Sequence, residues 1–512
     1  MTFLVIASCL GGWGYLFFKE MTYPKISQRV FAAVFFAGFA ALTVMVLITA
    51  IGFIPDDWSA NRLTWSGGLL YGYHLYMGNN GPSNGFFYPP LGAWFYIPAA
   101  FSGILLHSVI IALVAGWSMS MVCIFAPVVI LLVLLQRART ASYFASLMTL
   151  FLAACLIFSV PQLRYVATMV HVDSPALLFL GISVILLLPI VRSDHFLPDW
   201  RVITSGCFLA AASCCKQSVW PILPVLVAIC VHCHGVKEAG RFLLAVIITG
   251  ALLIGTMLLV ENGTEAYQMI WKWPTRQMVV TPASMVFQML VTSLVPIFGI
   301  LIILAIALRS GSLKLSESEK QSLIYLLLIA LWMTPFAIIT RMRIGADWNH
   351  LVIPSYFLLL GIVLLFPLMA SRMIAVSDWK EYGMAGIIFA ILLLFLMPFY
   401  SKNCGWYLWT HDSHEQALHA AAAKEGRVYF PWQTLSTLIL EKKLYHIDDC
   451  LRYEEAAGWK RPDASIVRFL PEPPFKIAVR PFGSPSYLVQ KEGLSEVAPL
   501  ASLPGWKIYQ RD

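Results

Sequence analysis

Asp56 and Asp57 stand side by side in Pro55-Asp56-Asp57-Trp58, directly after a long apolar run. Two adjacent carboxylates repel each other, so one titrates above the ordinary range and suits a general base. The plainer reading is that the pair merely ends a helix in water. The stretch from Pro161 to Pro175 carries Arg164, His171, Asp173 and Ser174. His171 and Asp173 either hold a divalent cation with Asp56 or Asp57, orient a substrate hydroxyl, or leave Asp173 and Ser174 to cap a helix ahead of Pro175. Lys216 and Gln217 interrupt an apolar stretch at Cys214-Cys215-Lys216-Gln217-Ser218. An ionisable group at membrane depth is costly and functional by default, so the pair reads as an anion ligand, against a lysine that only snorkels to the interface. Arg341-Met342-Arg343-Ile344-Gly345-Ala346-Asp347-Trp348-Asn349-His350 sets two arginines beside a flexible glycine. That arrangement suits bidentate contact with a phosphate. The rival is an ordinary connection in which arginine pairs with Asp347.

The elements that must position these groups are membrane helices. Of 512 residues, 59% are hydrophobic and only 12% charged. Soluble domains carry about 25% charge, so a soluble enzyme, a disordered chain and a small disulfide scaffold are excluded. Apolar runs near the ~20 residues that cross hydrocarbon recur at 1–18, 30–54, 107–135, 141–160, 174–192, 202–216, 219–233, 241–260, 286–308, 321–340, 350–370 and 383–400, roughly twelve spans. The net charge of +8 does not point to nucleic acid. Of the 35 basic residues, 14 fall in one set of loops, 7 in the opposite set and 14 after residue 400. The richer loops, from Lys19 to Lys380, read as cytoplasmic, which turns every group named above outward. Residues 1–18 read as a first span with the N-terminus outside.

The first external loop, about 55–106, is dense in aromatics such as Trp58, Trp65, Tyr71, Tyr76, Phe86, Tyr88 and Trp94, and predicts interfacial helices at headgroup level. After Tyr400 the composition changes, with 14 basic and 13 acidic residues in 401–512 and β-like stretches at Lys476–Val479 and Tyr487–Gln490. These residues predict a small external α+β domain, with 1–400 as the transmembrane domain. Cys404 and Cys450 either pair in an oxidising compartment or stay apart, because spacing does not establish geometry. Cys230-Val231-His232-Cys233-His234 matches a haem-attachment spacing, but it lies on the cytoplasmic side, where such attachment does not occur, and is read as chance.

Taken in order, these motifs resemble the GT-C superfamily of glycosyltransferases, especially family 39 and its relatives, the protein O-mannosyltransferases and lipid A aminoarabinose transferase. The resemblance rests on Asp56-Asp57, Gly68-Leu69-Leu70-Tyr71, Tyr88-Pro89-Pro90-Leu91, Asp173, Lys216-Gln217 and Gly345-Ala346-Asp347-Trp348-Asn349, over about residues 50–370. Much of the family has Asp-Glu where this chain has Asp56-Asp57. The resemblance implies an all-α polytopic membrane fold and inverting transfer of a sugar from a polyprenyl-phosphate donor, outside the cytoplasmic membrane. Asp56 and Asp57 would be catalytic. Tyr88, Arg164, His171, Asp173, Lys216, Gln217, Arg341, Arg343, Asp347, Asn349 and His350 would bind substrate. It implies no certain cofactor, leaves room for a divalent cation, and gives as partners the donor, membrane lipids and a lipid, glycan or protein acceptor, with no nucleic acid. A bacterial inner membrane with a periplasmic site is the implied setting. The competing class is a transporter or flippase of a lipid-linked or anionic solute. Against it stand the lack of a span repeat and of any acidic residue inside a span.

Overall fold

A computed structural model of the protein describes residues 57–375 and 427–510, apart from 192–197, 273–278, 310–314, 471–474, 480–486 and a few shorter stretches. The expected spans at 1–18, 30–54 and 383–400, together with Asp56, Asp347 and Cys404, lie outside the described residues. The other nine expected spans are all met by helices. Val109–Arg137, Gln217–His234, Val236–Val260, Glu317–Arg341 and Trp348–Ser371 are long and apolar enough to cross a membrane. A sixth is Ala145–Ser159 joined to Pro161–Thr168 through a 95° bend. Asp173–Leu187 and Trp200–Cys215 are apolar but shorter, and the expected span 286–308 is divided at Leu294 into Ala283–Ser293 and Val295–Arg309. The chain is an integral membrane protein.

Local sequence accounts for where these helices start. Ser108 accepts from Ile111 N, Ser142 accepts from Ala145 N, and Ser316 with Glu319 forms a reciprocal capping box. Pro161 at a first helical position gives the bent segment its own start without costing a hydrogen bond. The helix Val352–Ala375 runs through the middle of the bundle, with Tyr356, Phe357 and Leu360 fully buried. By contrast Val236–Val260 turns Leu244, Ile247, Leu252 and Leu259 outward, as a lipid-facing helix does. Close approach is set by Gly181: a Cβ there would come within 2.8 Å of Pro127 on the neighbouring helix.

The loop read as external forms helices Asp57–Leu70, Leu91–Phe95 and Ile97–Leu105, as expected. Part of its aromatic set lies inside the protein and not at headgroup level. Trp65, Tyr76 and Phe86 are buried against Ala266, Met269 and Ile270 and against Ile447 of the C-terminal residues. Those residues build a four-stranded sheet, β1 (Arg427–Tyr429), β2 (Phe475–Val479), β3 (Ser495–Val497) and β4 (Lys507–Gln510), in the order β1-β2-β4-β3. β1 runs parallel to β2, and the other pairs are antiparallel. Both faces are covered: Val428, Ala478 and Ile508 meet Phe430, Leu503 and Trp506, while Tyr429, Ile477 and Val479 meet Leu451, Ile466 and Leu488. The expected strand at Tyr487–Gln490 is instead the start of a helix, Tyr487–Glu492. The physical reason is Asp448, whose carboxylate accepts from Tyr487 N at 2.7 Å and Leu488 N at 3.0 Å and so satisfies two first-turn donors that no strand partner reaches.

A dense set of hydrogen bonds clamps the loop to the tail. Ser83 N donates to His446 Nδ1 (2.7 Å) and Ser83 Oγ to Glu454 (2.6 Å). Arg461 donates to both Glu454 oxygens and to Gly81 O, and Tyr73 OH accepts from Leu444 N. Burial pushes His446 down to about 3, with the Arg461 charge adding to it. The imidazole must be unprotonated at Nδ1 to accept from Ser83, so its folded value lies below the unfolded one near 6.5. The contribution is therefore complete above about pH 6.5 and is lost as the pH falls from there towards about 3. We expect amide exchange at Ser83 and across 434–465 to accelerate over that window. His446→Gln, which does not titrate, should flatten the curve, and an unchanged curve would show that the clamp does not depend on this imidazole.

Candidate active site

Three stretches far apart in sequence meet at one carboxylate. The helix Tyr143–Ser159 ends and Pro161–Thr168 turns across it, so the chain leads through Met169–Val172 to Asp173 at the head of Asp173–Leu187. Asp173 is 2% exposed. Lys216 Nζ donates to its Oδ1 at 2.5 Å, Asn349 Nδ2 donates to its Oδ2 at 2.9 Å, and His171 Nδ1 also contacts Oδ2. Taking a carboxylate and an ammonium out of water is repaid only with close pairing and further hydrogen bonds, and both are present here. Asp173 and Ser174 do not cap the helix: Val172 is its N-cap without a side-chain bond, and Ser174 Oγ donates to Val166 O. Lys216 does not snorkel outward, since it is buried against Asp173.

The stretch before Asp173 is pinned by the first external loop. Val170 N donates to Ser59 Oγ and Arg62 Nη1 donates to Val170 O, both at 3.1 Å. Tyr96 OH donates to His171 O, and the Tyr88 ring meets the His171 ring edge-on at 5.7 Å. Burial, with the Arg62 guanidinium next, pushes the His171 imidazole down to about 3, so it stands neutral beside the carboxylate. Asp57 opens the helix Asp57–Leu70, two residues before Ser59, and only its backbone is described. The turn that carries it therefore abuts the approach to Asp173.

Gln217 ties the same cluster to the loop, donating from Nε2 to Phe87 O at 2.9 Å and to Ile270 O at 3.5 Å. Tyr88 O accepts from Tyr76 OH. Arg341 ends the helix Glu317–Arg341, and the chain that follows is held by Val280 N and Thr281 N donating to Met342 O. Arg341, Arg343 and His350 are half-buried, as is Arg164 on the bent segment. Arg343 pairs through its backbone with Val279. Among the described residues no group of three or more His, Cys, Asp or Glu is arranged to hold a metal ion. Cys230 is packed in the core and Cys233 Sγ contacts Tyr325 OH, an ordinary interior environment for the Cys-x-x-Cys-His spacing. Cys450 is buried beside Gly85.

Sequence reasoning missed Arg62, Ser59, Tyr96 and Glu261. Arg62 was discoverable, as a lone cation in an apolar and aromatic stretch, and it is 9% exposed. Glu261, at the end of Val236–Val260, accepts from Leu75 N and Tyr76 N, and burial raises its carboxyl while those two donors and His74 oppose the rise. The others gave no signal, since a serine and a tyrosine acquire meaning only from what folds against them.

The architecture is a helical membrane bundle with loop helices on one side and a C-terminal sheet over them, and two solved structures share this fold. The crystal structure of ArnT from Cupriavidus metallidurans bound to undecaprenyl phosphate aligns with a TM-score of 0.58 at 11% identity, covering 94% of this chain and 98% of that one. The apo structure of the same protein gives a TM-score of 0.55 at 12% identity with the same coverage. At such identity the likeness shows the fold. No protein-family model and no curated protein sequence matches the chain.

The Asp173–Lys216 pair yields a stability prediction. Asp173→Leu strands a buried ammonium and should cost about 3–5 kcal/mol, whereas Asp173→Leu with Lys216→Met removes both charges and should recover most of that loss. Thermal unfolding in detergent measures both. Equal destabilisation in the single and double variants would show that the pairing is not what holds these loops together.

Proposed function

We propose that the protein is a membrane glycosyltransferase that moves a sugar, with inversion, from a polyprenyl-phosphate donor to an acceptor hydroxyl on the extracytoplasmic face. The observation that carries this reading is the likeness of fold over nearly the full length of both chains to ArnT, whose crystal structure holds undecaprenyl phosphate. The convergence of the loops at Asp173 gives the reading a chamber built from this chain's own residues. It favours an enzyme over a transporter, since the ion pair lies where external loops meet rather than between repeated spans.

A phosphate ester is already a good leaving group, so the reaction needs one base and cationic help, not the opposed carboxylates of a glycosidase. Asp56 takes the proton from the acceptor hydroxyl, and Asp57 orients it or shares that role. The acceptor oxygen bonds to the anomeric carbon as the bond from that carbon to the phosphate oxygen breaks, its electrons leaving with the polyprenyl phosphate. Asp173 and Lys216 neutralise one another, so the net positive charge for the departing phosphate comes from Arg341 and Arg343, with the remaining N–H groups of Lys216 adding to it. Tyr88 and Arg164 wall the chamber. Asp347 belongs to the loop between the arginines and Asn349, and His171 keeps Asp173 in place. Residues 401–512 are read as the external domain, the described part of which packs on the first loop, and the acceptor is a lipid, a glycan or a protein. A bacterial inner membrane with this face in the periplasm is the setting that fits.

Purified protein given polyprenyl-phosphate sugar should release polyprenyl phosphate or transfer the sugar to an acceptor. Replacing Asp56 and Asp57 together with Asn should lower turnover by about a hundredfold or more, the scale of a lost general base, and leave the melting temperature intact. Undiminished turnover would remove the pair as the base. Solute uptake by liposomes without any turnover would favour a transporter.

A further inference from the structure

Beside the Asp173 pair are two buried polar atoms without a hydrogen-bond partner, Oε1 of Gln217 and Nδ1 of His350. Each belongs to the residue next in sequence to one of the aspartate's partners: Gln217 follows Lys216, which holds Oδ1, and His350 follows Asn349, which holds Oδ2. Buried polar atoms are nearly always paired, and two orphans flanking one carboxylate call for an explanation in terms of what enters the chamber.

The orientation of the Gln217 amide is decided by its other end. Two backbone carbonyls, Phe87 O and Ile270 O, face its NH₂ group, and carbonyls only accept, so the unpaired atom is the oxygen. That oxygen is itself only an acceptor. It therefore has no use for a phosphodiester, whose oxygens also only accept, and would repel one. It needs an O–H or N–H donor. The His350 nitrogen, which donates or accepts according to its tautomer, suits a hydroxyl in either sense.

We infer that Gln217 Oε1 and His350 Nδ1 form a subsite for hydroxyl groups of the transferred sugar. This rests on the transferase reading above and gives its chamber a place for the sugar. Sites built to hydrogen-bond a hydroxyl reject analogues that lack it far more strongly than apolar pockets discriminate by shape, so these two residues would set donor choice.

Binding separates the subsite from the reaction. Dissociation constants are measured for undecaprenyl phosphate alone and for the same lipid carrying mannose, galactose or arabinose. The wild-type protein should prefer at least one of the glycosylated lipids over the bare lipid. Gln217→Leu and His350→Phe should each reduce that preference by about fivefold to a hundredfold, with affinity for the bare lipid unchanged. His350→Phe removes no hydrogen bond described in the protein at Nδ1, so it tests the idea even if Gln217→Leu, which also loses the Phe87 contact, fails to fold. Equal weakening for bare and glycosylated lipids would move these residues to the phosphate end and overturn the subsite. So would an unchanged preference in both variants, the result expected if a buried water fills the position. Wild-type protein that binds bare and glycosylated lipids alike overturns the subsite alone, whereas wild-type protein that binds neither removes the transferase reading with it.

Discussion

A single buried carboxylate holds one end of this helical bundle together. Asp173 can keep its charge away from water only while Lys216, Asn349 and His171 surround it, and those residues arrive from three different stretches of chain. The requirement is reciprocal, because Lys216 is equally deprived of solvent. Satisfying one ion therefore fixes the ends of several helices relative to one another, which a layer of apolar contacts alone would leave freer to slide. The cost of desolvating two charges is met by that geometry.

The first external loop is held from both sides. Glu261 receives Leu75 N and Tyr76 N beneath it, and His446, Glu454 and Arg461 grip Ser83 and Gly81 from the C-terminal side. Just beyond these anchors the chain reaches Phe87 and Tyr88, which face Gln217 and His171. A long aromatic loop would otherwise carry much conformational freedom to the mouth of the site. The covering sheet thus takes part in shaping the site, although its residues lie far along the chain from any of the polar groups there.

The Asp173–Lys216 pair is not electrostatically alone: Arg62 acts on His171 and Lys216, and Arg341 acts on His350. One carboxylate thus stands among several cations, two of them delivered by stretches other than those that pair with it directly.

Much of this was legible in the sequence, and for definable reasons. Low charge and long apolar runs specify membrane helices by themselves, because the bilayer imposes a length and a composition. Isolated polar groups such as Lys216 and Asp173 stood out against that background for the same reason, and the structure brings these two together. Other features depend on contacts between distant residues, which local pattern does not encode. Tyr487–Gln490 has the residues of a strand but becomes helical because Asp448 caps it. The Trp65 and Phe86 rings read as headgroup-level aromatics but are buried, since residues 266–270 and Ile447 of the tail pack against them. Lys216 could be recognised as unusual from its neighbours, but that its charge is spent on Asp173 was decided only when two helix ends met.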